Sequence, residues 1–267
     1  MNSIRRPLTL YRSAYYTGFV LIANLRGGYS FLQGGSAYSR GVAASEGFTM
    51  EHVRLERPVG WKAGFERIDA YLRAVGRPRG ALCAIGLRSP EPYSFGGFTD
   101  FNGGYVEMLR AWEILVDGQN PVARTYVAPA WEPPAEPSLY SFAYTVPSES
   151  TRVSFVVAGA GELPEGSLDP EEVVRRGETS ADAMADKVRF VLDLMEGRLR
   201  GVGATWNDVT ATNVYTVHDI AAMVSAEILP RIGRAVAHGV CWNYSRPPIV
   251  SIEFEMDVLG CAREVVI

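Results

Sequence analysis

Apolar positions along the chain follow a helical period in some stretches and a strand-like pattern in others. Residues 181–199 place five apolar side chains on one helical face, at Met184, Val188, Val191, Leu192 and Met195. That spacing predicts an amphipathic helix packed against a sheet. Residues 208–217, rich in β-branched and aromatic side chains, predict the strand that follows.

The end of this helix has a counterpart earlier in the chain. The segment GRLRGVG at residues 197–203 resembles AYLRAVG at residues 70–76, and the two lie 127 positions apart. After each segment the pattern predicts a strand, a second helix over residues 103–115 or 219–236, and two strands joined by a proline-containing turn. The chain is therefore predicted to contain two copies of one unit.

The predicted fold class is α+β, with two tandem units at residues 1–147 and 148–267. Each unit is expected to form a β-hairpin, helix, strand, helix and two further strands, giving a mixed sheet with two helices packed on one face. The first unit differs by an insertion near residues 90–103, whose glycine and aromatic residues favour a loop.

Composition narrows the possible partners. The 267 residues carry a net charge of −4 and no Lys/Arg-rich run, so nucleic acid is not an expected partner. The apolar run TGFVLIANL is too short to span a bilayer, so no membrane association and a cytoplasmic location are expected. Three cysteines without CxxC spacing predict neither a disulfide framework nor a zinc site, and Cys83 is expected in the core. Neither a metal nor a cofactor is expected.

Arg124 is the one charged residue in the apolar stretch NPVARTYVAPAW at residues 120–131. A guanidinium in a buried strand must face water, a partner or a ligand. Its planar fork suits a carboxylate, which it can bind through two parallel hydrogen bonds. A purely structural salt bridge is the alternative.

Three motifs resemble the Rid family, the reactive intermediate deaminases that hydrolyse enamines and imines. They are the LRxVG helix ends, PVARTYV at residues 121–127 and IEFE at residues 252–255. The resemblance implies two Rid-like (chorismate-mutase-like) modules. In that family a glutamate follows the strand arginine by fifteen positions; counting back from Glu253 gives His238, and counting forward from Arg124 gives Leu139. The resemblance therefore implies one site, with its roles divided between the two copies.

The residues implied by the resemblance have distinct roles. Arg124 would anchor a substrate carboxylate, while His238 or Glu253 would move protons. Glu255 alternates with Glu253, so both acids are expected on one sheet face, and either would hold the attacking water. A core position remains the alternative for His238.

The N-terminal strands would complete the cleft from its other side. The segments at residues 22–28 and 156–162 would bring backbone donors near Gly27 and Gly159 to the substrate. Arg26 would bind a second carboxylate, or else would simply be exposed.

The function implied is a cofactor-free hydrolytic deaminase of a small dicarboxylic enamine or imine. Length and tandem layout look most like the divergent 2-aminomuconate deaminases, including those that act on chlorinated aminomuconates. Rid proteins are usually trimers, so a homo-oligomer is expected, a trimer or hexamer of two-module chains. A chorismatase-like hydrolase and a non-catalytic metabolite-binding protein are the alternatives.

Overall fold

The computed structural model describes residues 19–267, which form two mixed β-sheets with helices on their outer faces. Thirteen strands lie within the described residues: β1 Leu21–Asn24, β2 Tyr29–Leu32, β3 Gly41–Ala44, β4 Phe48–Gly60, β5 Leu82–Arg88, β6 Ala123–Pro129, β7 Ser138–Pro147, β8 Phe155–Gly161, β9 Ala211–Tyr215, β10 Cys241–Asn243, β11 Ser245–Arg246, β12 Glu255–Gly260 and β13 Arg263–Val266. The helices are α1 Trp61–Ala74, α2 Phe95–Ala111, α3 Ala181–Gly201 and the single turn α4 Ala221–Met223. In this part of the chain no helix is long and apolar enough to cross a membrane.

The two sheets repeat one strand order. The six-stranded sheet runs β11-β6-β5-β7-β4-β13, and the seven-stranded sheet runs β1-β2-β3-β8-β12-β9-β10. Four neighbouring strands of the six-stranded sheet follow the order β4-β7-β5-β6, and four of the seven-stranded sheet follow the order β8-β12-β9-β10. In both sets the strand that comes first in the chain pairs with the one that comes last, and the second and third strands follow. The predicted α+β class with mixed sheets is confirmed at this level.

The sheets pack face to face, and the helices cover their outer surfaces. Small and aromatic side chains from both sheets fill the space between them, among them Tyr29, Phe31, Met50, Ala123 and Val156. Helices α1 and α2 bury their apolar faces against the six-stranded sheet, and α3 covers the seven-stranded one. Cys83 is fully buried between the sheets, as predicted.

Sheet membership crosses between the halves of the chain. Strand β3 pairs with β8, so the N-terminal strands join the seven-stranded sheet, whereas C-terminal β13 pairs with β4 in the other. The predicted hairpin of the first unit thus lies beside the second unit's strands, and that part of the prediction was wrong. A tight turn at Gly47 (φ 81°), closed by a bond from the Phe48 amide to the Ser45 carbonyl, takes the chain from one sheet to the other. The boundary at residue 147 stays a prediction.

The predicted loop near residues 90–103 is instead largely helical. Helix α2 begins at Phe95, where the Ser94 hydroxyl caps the helix by accepting a bond from the Gly97 amide at 3.1 Å. Phe98 and Tyr105 are buried against the six-stranded sheet. This apolar packing offsets the low helix propensity of the glycines, which had favoured a loop.

The predicted helix at residues 219–236 is broken. After α4 the chain forms a single π turn at Val224–Ile228 and a 3₁₀ helix at Gly233–His238. Pro230 cannot donate a helical hydrogen bond, and Gly233 adopts a left-handed φ of 54°. The segment is therefore a series of turns rather than a continuous helix.

Candidate active site

Arg124 lies on β6 beside Ile85 of β5, and its residue is only 4% exposed. Its Nη2 donates to Asn102 Oδ1 at 2.7 Å. Its Nη1 is buried and has no hydrogen-bond partner among the described residues. A buried donor without an acceptor costs about 1–3 kcal/mol, and a ligand that accepts from Nη1 would remove this cost.

Five aromatic rings surround the guanidinium of Arg124. Its Cζ lies 4.8–5.9 Å from the ring centroids of Tyr38, Phe98, Phe101, Tyr105 and Tyr126. Helix α2 supplies three of them, and Tyr38 is held in place because the adjacent Ser39 forms a β-bridge with Ala123. Burial lowers the pKa of Arg124 and raises that of Tyr105 to about 12. The rings are neutral and stabilise the cation through their π faces.

A cleft opens beside this guanidinium. It is lined by Arg124, Gly159 and Glu255, three residues predicted from the sequence. Arg124 comes from the six-stranded sheet, whereas Gly159 on β8 and Glu255 on β12 come from the seven-stranded sheet. The cleft therefore combines side chains from both halves of the chain.

Glu255 is buried at the start of β12. Burial raises its pKa well above the ordinary value, and the nearby Asp257 adds to this, while Arg198, Arg124 and Arg88 oppose it. A Cβ on Gly159 would overlap Glu255 Oε1, so only glycine leaves room for the carboxyl group in this position. The cleft thus holds a carboxylic acid that retains its proton to higher pH than a solvated glutamate.

Arg198, which the sequence reasoning missed, also lines the cleft. Its Nε and Nη2 donate to the two oxygens of Glu165 at 2.7 and 3.0 Å, and its Nη1 donates to the Ala158 carbonyl at 2.9 Å. Arg40 Nε lies 2.9 Å from the same carboxylate. Although burial opposes it, Arg198 and Arg40 lower the pKa of Glu165. With its donors occupied, Arg198 positions the segment that carries Glu165 at the cleft rather than offering a free charge.

Glu253 lies outside this cleft. It precedes β12, and its Oε2 is 2.7 Å from Nε2 of His218. The two acids of IEFE therefore do not share one sheet face as predicted, because the strand begins only at Glu255. In the described part of the chain no group of three metal-ligating side chains occurs.

His238 is exposed at the end of a 3₁₀ helix and does not line the cleft. Strands β5 and β6 pair Gly86 with Thr125, and β9 and β10 pair Asn213 with Cys241. Gly86 and Asn213 are 127 positions apart, the spacing predicted for the two copies, and on that prediction Cys241 corresponds to Thr125.

On that predicted spacing the counterpart of Arg124 is Val240 rather than His238. The count of fifteen was taken from Glu253, whereas Glu255, the acid that lines the cleft, lies fifteen positions after Val240.

Arg26 and Gly27 lie in the turn between β1 and β2, and neither lines the cleft. Arg26 is exposed. Gly27 is buried, and its carbonyl accepts a hydrogen bond from the Thr145 hydroxyl. The predicted contribution of residues 22–28 to this cleft is therefore not found, because the turn that carries Gly27 is bonded to Gly80 and Thr145 instead.

The sequence profile of the 2-aminomuconate deaminase CnbZ family matches residues 21–265. The chain belongs to the CnbZ family. A 2-amino-5-chloromuconate deaminase of Comamonas testosteroni is 43% identical over 244 residues, which cover 90% of this chain and 96% of the relative. The cleft around Arg124 thus lies in a CnbZ-family protein with a close relative named for deamination of a chlorinated aminomuconate.

Solved structures resemble this CnbZ-family chain more distantly. A chorismatase is 11% identical, covers 89% of this chain and 78% of its own, and gives a TM-score of 0.45. The YjgF gene product of E. coli is 18% identical, covers 41% of this chain and 81% of its own, and gives a TM-score of 0.30. Both TM-scores are below 0.5, so the fold described above rests on the chain's own strands and helices.

Proposed function

We propose that this chain is a hydrolytic deaminase that converts 2-aminomuconate, or a chlorinated analogue, to the corresponding oxo acid and ammonia. The observation that carries the proposal is a cleft lined by both Arg124, whose Nη1 is unpaired, and Glu255, whose carboxyl group is buried. Membership of the CnbZ family and the name of the Comamonas testosteroni relative support this substrate class. No cofactor takes part in the proposed reaction.

Arg124 anchors one carboxylate of the substrate. Its free Nη1 donates to one oxygen, and the charge of the guanidinium neutralises the bound anion. The surrounding rings exclude water, which strengthens this ion pair and holds the planar chain of the substrate in one orientation.

Glu255 moves the protons. The neutral acid donates its proton to a carbon of the conjugated enamine, leaving an iminium at C2 and a carboxylate at Glu255. That carboxylate takes a proton from water as the water oxygen attacks C2. Glu255 then protonates the amino group, which leaves as ammonia, and recovers the proton of the new hydroxyl as C2 becomes a carbonyl. The sum is one water consumed and one ammonia released.

The architecture of the proposed enzyme is a tandem pair of Rid-like modules. The repeated order β4-β7-β5-β6 and β8-β12-β9-β10 supports this proposal, as does the 127-residue spacing of the helix ends. In this arrangement one module supplies the arginine and the other the acid. The chain is proposed to assemble as a trimer or hexamer, which light scattering of the purified protein will measure.

The function is tested by following the loss of 2-aminomuconate ultraviolet absorbance together with ammonia release. The wild-type protein is expected to release one ammonia for each substrate lost. The Glu255→Gln variant is expected to lose most activity, while His238→Ala, a change at an exposed residue outside the cleft, is expected to keep it. A wild-type protein that releases no ammonia from 2-aminomuconate or its chlorinated analogue refutes the proposal.

A further inference from the structure

A second cavity lies between the two sheets, on the inner face of the six-stranded sheet. The guanidinium of Arg124 lies on the outer face of that sheet, among the rings of helix α2, whereas the adjacent Ala123 packs between the sheets. Arg88, at the end of β5, points inward, because its Cζ is 5.7 Å from the ring centroid of Tyr215 on β9 of the seven-stranded sheet. The cavity is therefore distinct from the cleft, and no step of the proposed reaction uses it.

Arg88 carries a guanidinium that is buried without a charged partner in the described part of the chain. The residue is only 8% exposed, and its Cζ lies 4.0 Å from the ring centroid of Tyr140. Its Nη1 donates to the Leu87 carbonyl at 2.9 Å. Among the described residues, neither Nε nor Nη2 has a hydrogen-bond acceptor, and no carboxylate lies within ion-pair distance. A guanidinium this deeply buried normally has a counter-charge.

The two acids among the described residues that line the cavity already have partners. Asp257 accepts hydrogen bonds from Asn213 Nδ2 at 2.7 Å and from the Tyr215 hydroxyl at 3.0 Å. Glu264 lies 2.8 Å from Nη2 of Arg54, and these two side chains are 48% and 41% exposed. The pair of Arg54 and Glu264 therefore places one end of the cavity at the surface, where an ion can enter from solvent.

The free edge of the Arg88 guanidinium indicates which ligand it would take. Tyr140 covers one face of the group, which leaves its edge as the donor surface. Nε and Nη2 lie in one plane and donate in parallel, so they match the two coplanar oxygens of a carboxylate. Because the carboxylate of Asp257 lines the same cavity, its repulsion disfavours a doubly charged phosphate more than a singly charged carboxylate.

We propose that Arg88 anchors a second binding site, between the sheets, for a small carboxylate. Its Nε and Nη2 donate to the two carboxylate oxygens, and the guanidinium remains stacked on Tyr140. The ligand supplies a counter-charge to the buried cation, so its binding stabilises the folded protein. This inference goes beyond the proposed function and is independent of it, since neither Arg124 nor Glu255 takes part.

The test follows the binding of acetate, which carries one carboxylate, through the Tm of the protein. It is made in the Arg124→Met protein, so that the proposed carboxylate anchor of the cleft does not contribute. With a dissociation constant of about 1–5 mM, acetate at about 50 mM is expected to raise Tm by about 2–4 °C relative to sodium chloride at the same ionic strength. Adding Arg88→Met is expected to remove this shift. The matched control is Arg54→Met, which changes an arginine of the same cavity that is paired with Glu264 and should keep the shift.

The proposal is overturned by an Arg124→Met protein that shows no acetate shift, by a shift that Arg88→Met leaves unchanged, or by one that Arg54→Met removes equally. A shift produced by inorganic phosphate and not by acetate overturns the choice of a carboxylate. Should Arg88→Met fail to fold, Arg88→Lys keeps the charge and loses the planar fork, and an undiminished shift again contradicts the proposal. Because no outcome depends on ammonia release, a failure of this site and a failure of the proposed function are distinguishable.

Discussion

Replacing Arg124 by Met removes the charge and the fork but retains a flexible apolar stem among the aromatic rings. The variant loses the bond to Asn102 and the π contacts, but it also no longer buries a cation and an unpaired donor. Removal of a buried charge by an apolar side chain of similar volume is often neutral or stabilising. The free energy of unfolding is therefore expected to change by less than about 2 kcal/mol.

Activity is expected to respond very differently. Truncating one partner of a buried, hydrogen-bonded charge pair costs about 2–5 kcal/mol, which corresponds to a roughly 30- to 5,000-fold lower kcat/KM. Ammonia release is measured over a range of 2-aminomuconate concentrations, and stability by urea unfolding. The matched control is Arg26→Met, a change at an exposed arginine outside the cleft, which should leave both quantities unchanged.

Two results would refute this reasoning. One is an Arg124→Met enzyme with kcat/KM within about threefold of the wild type, which would exclude Arg124 as the carboxylate anchor. The other is a loss of activity that matches a loss of folded protein, which would make Arg124 a structural residue. Equal losses in Arg26→Met would show that the effect is not specific to the cleft.

Three further changes test the surroundings of the cleft. The pKa of Glu255 is raised in the folded state, so its proton stabilises the fold below the ordinary pKa of 4.5 and this contribution is lost as the pH rises through the folded value. Glu255→Gln should therefore match the wild type in urea unfolding at acid pH and exceed it increasingly toward alkaline pH; a constant difference would contradict this. Gly159→Ala places a methyl group against Glu255 Oε1 and should lower kcat by up to about 100-fold, whereas Gly103→Ala, with open space around the new Cβ, should not. Lys187→Met leaves the buried Glu162 without the ammonium group that lies 2.9 Å from it, and should lower the free energy of unfolding, measured by thermal unfolding, by about 3–5 kcal/mol. Adding Glu162→Gln should recover part of this loss. A loss below about 1 kcal/mol would show that the ion pair is not needed for stability.

The sequence indicated Arg124, the proposed carboxylate anchor, because a charged residue is unexpected in an apolar strand. Arg124 interrupts an apolar strand, and in the structure it is buried without a salt bridge to any described residue. The same signal was present in α3, where Arg198 falls three positions after Met195 and seven after Val191, on the apolar stripe of the helix. A charged residue on such a stripe is a candidate for burial, so Arg198 could have been found by the reasoning that found Arg124.

Other features were beyond the reach of local pattern. Apolar periodicity specifies which face of a strand is buried, but it does not specify which sheet edge a hairpin joins, so the pairing of β3 with β8 could not be read from residues 19–44. The IEFE motif contains two glutamates, and a count of fifteen positions back leads to His238 from Glu253 but to Val240 from Glu255. Only the register of β12 shows that Glu255, and not Glu253, lines the cleft.

The central claim is that one site, built from both sheets, binds the substrate between Arg124 and Glu255. A crystal structure of the protein with muconate tests it most directly. The account predicts one carboxylate within hydrogen-bond distance of Arg124 Nη1 and the carbon chain passing Glu255. Muconate bound elsewhere, with Arg124 still joined only to Asn102, would contradict it.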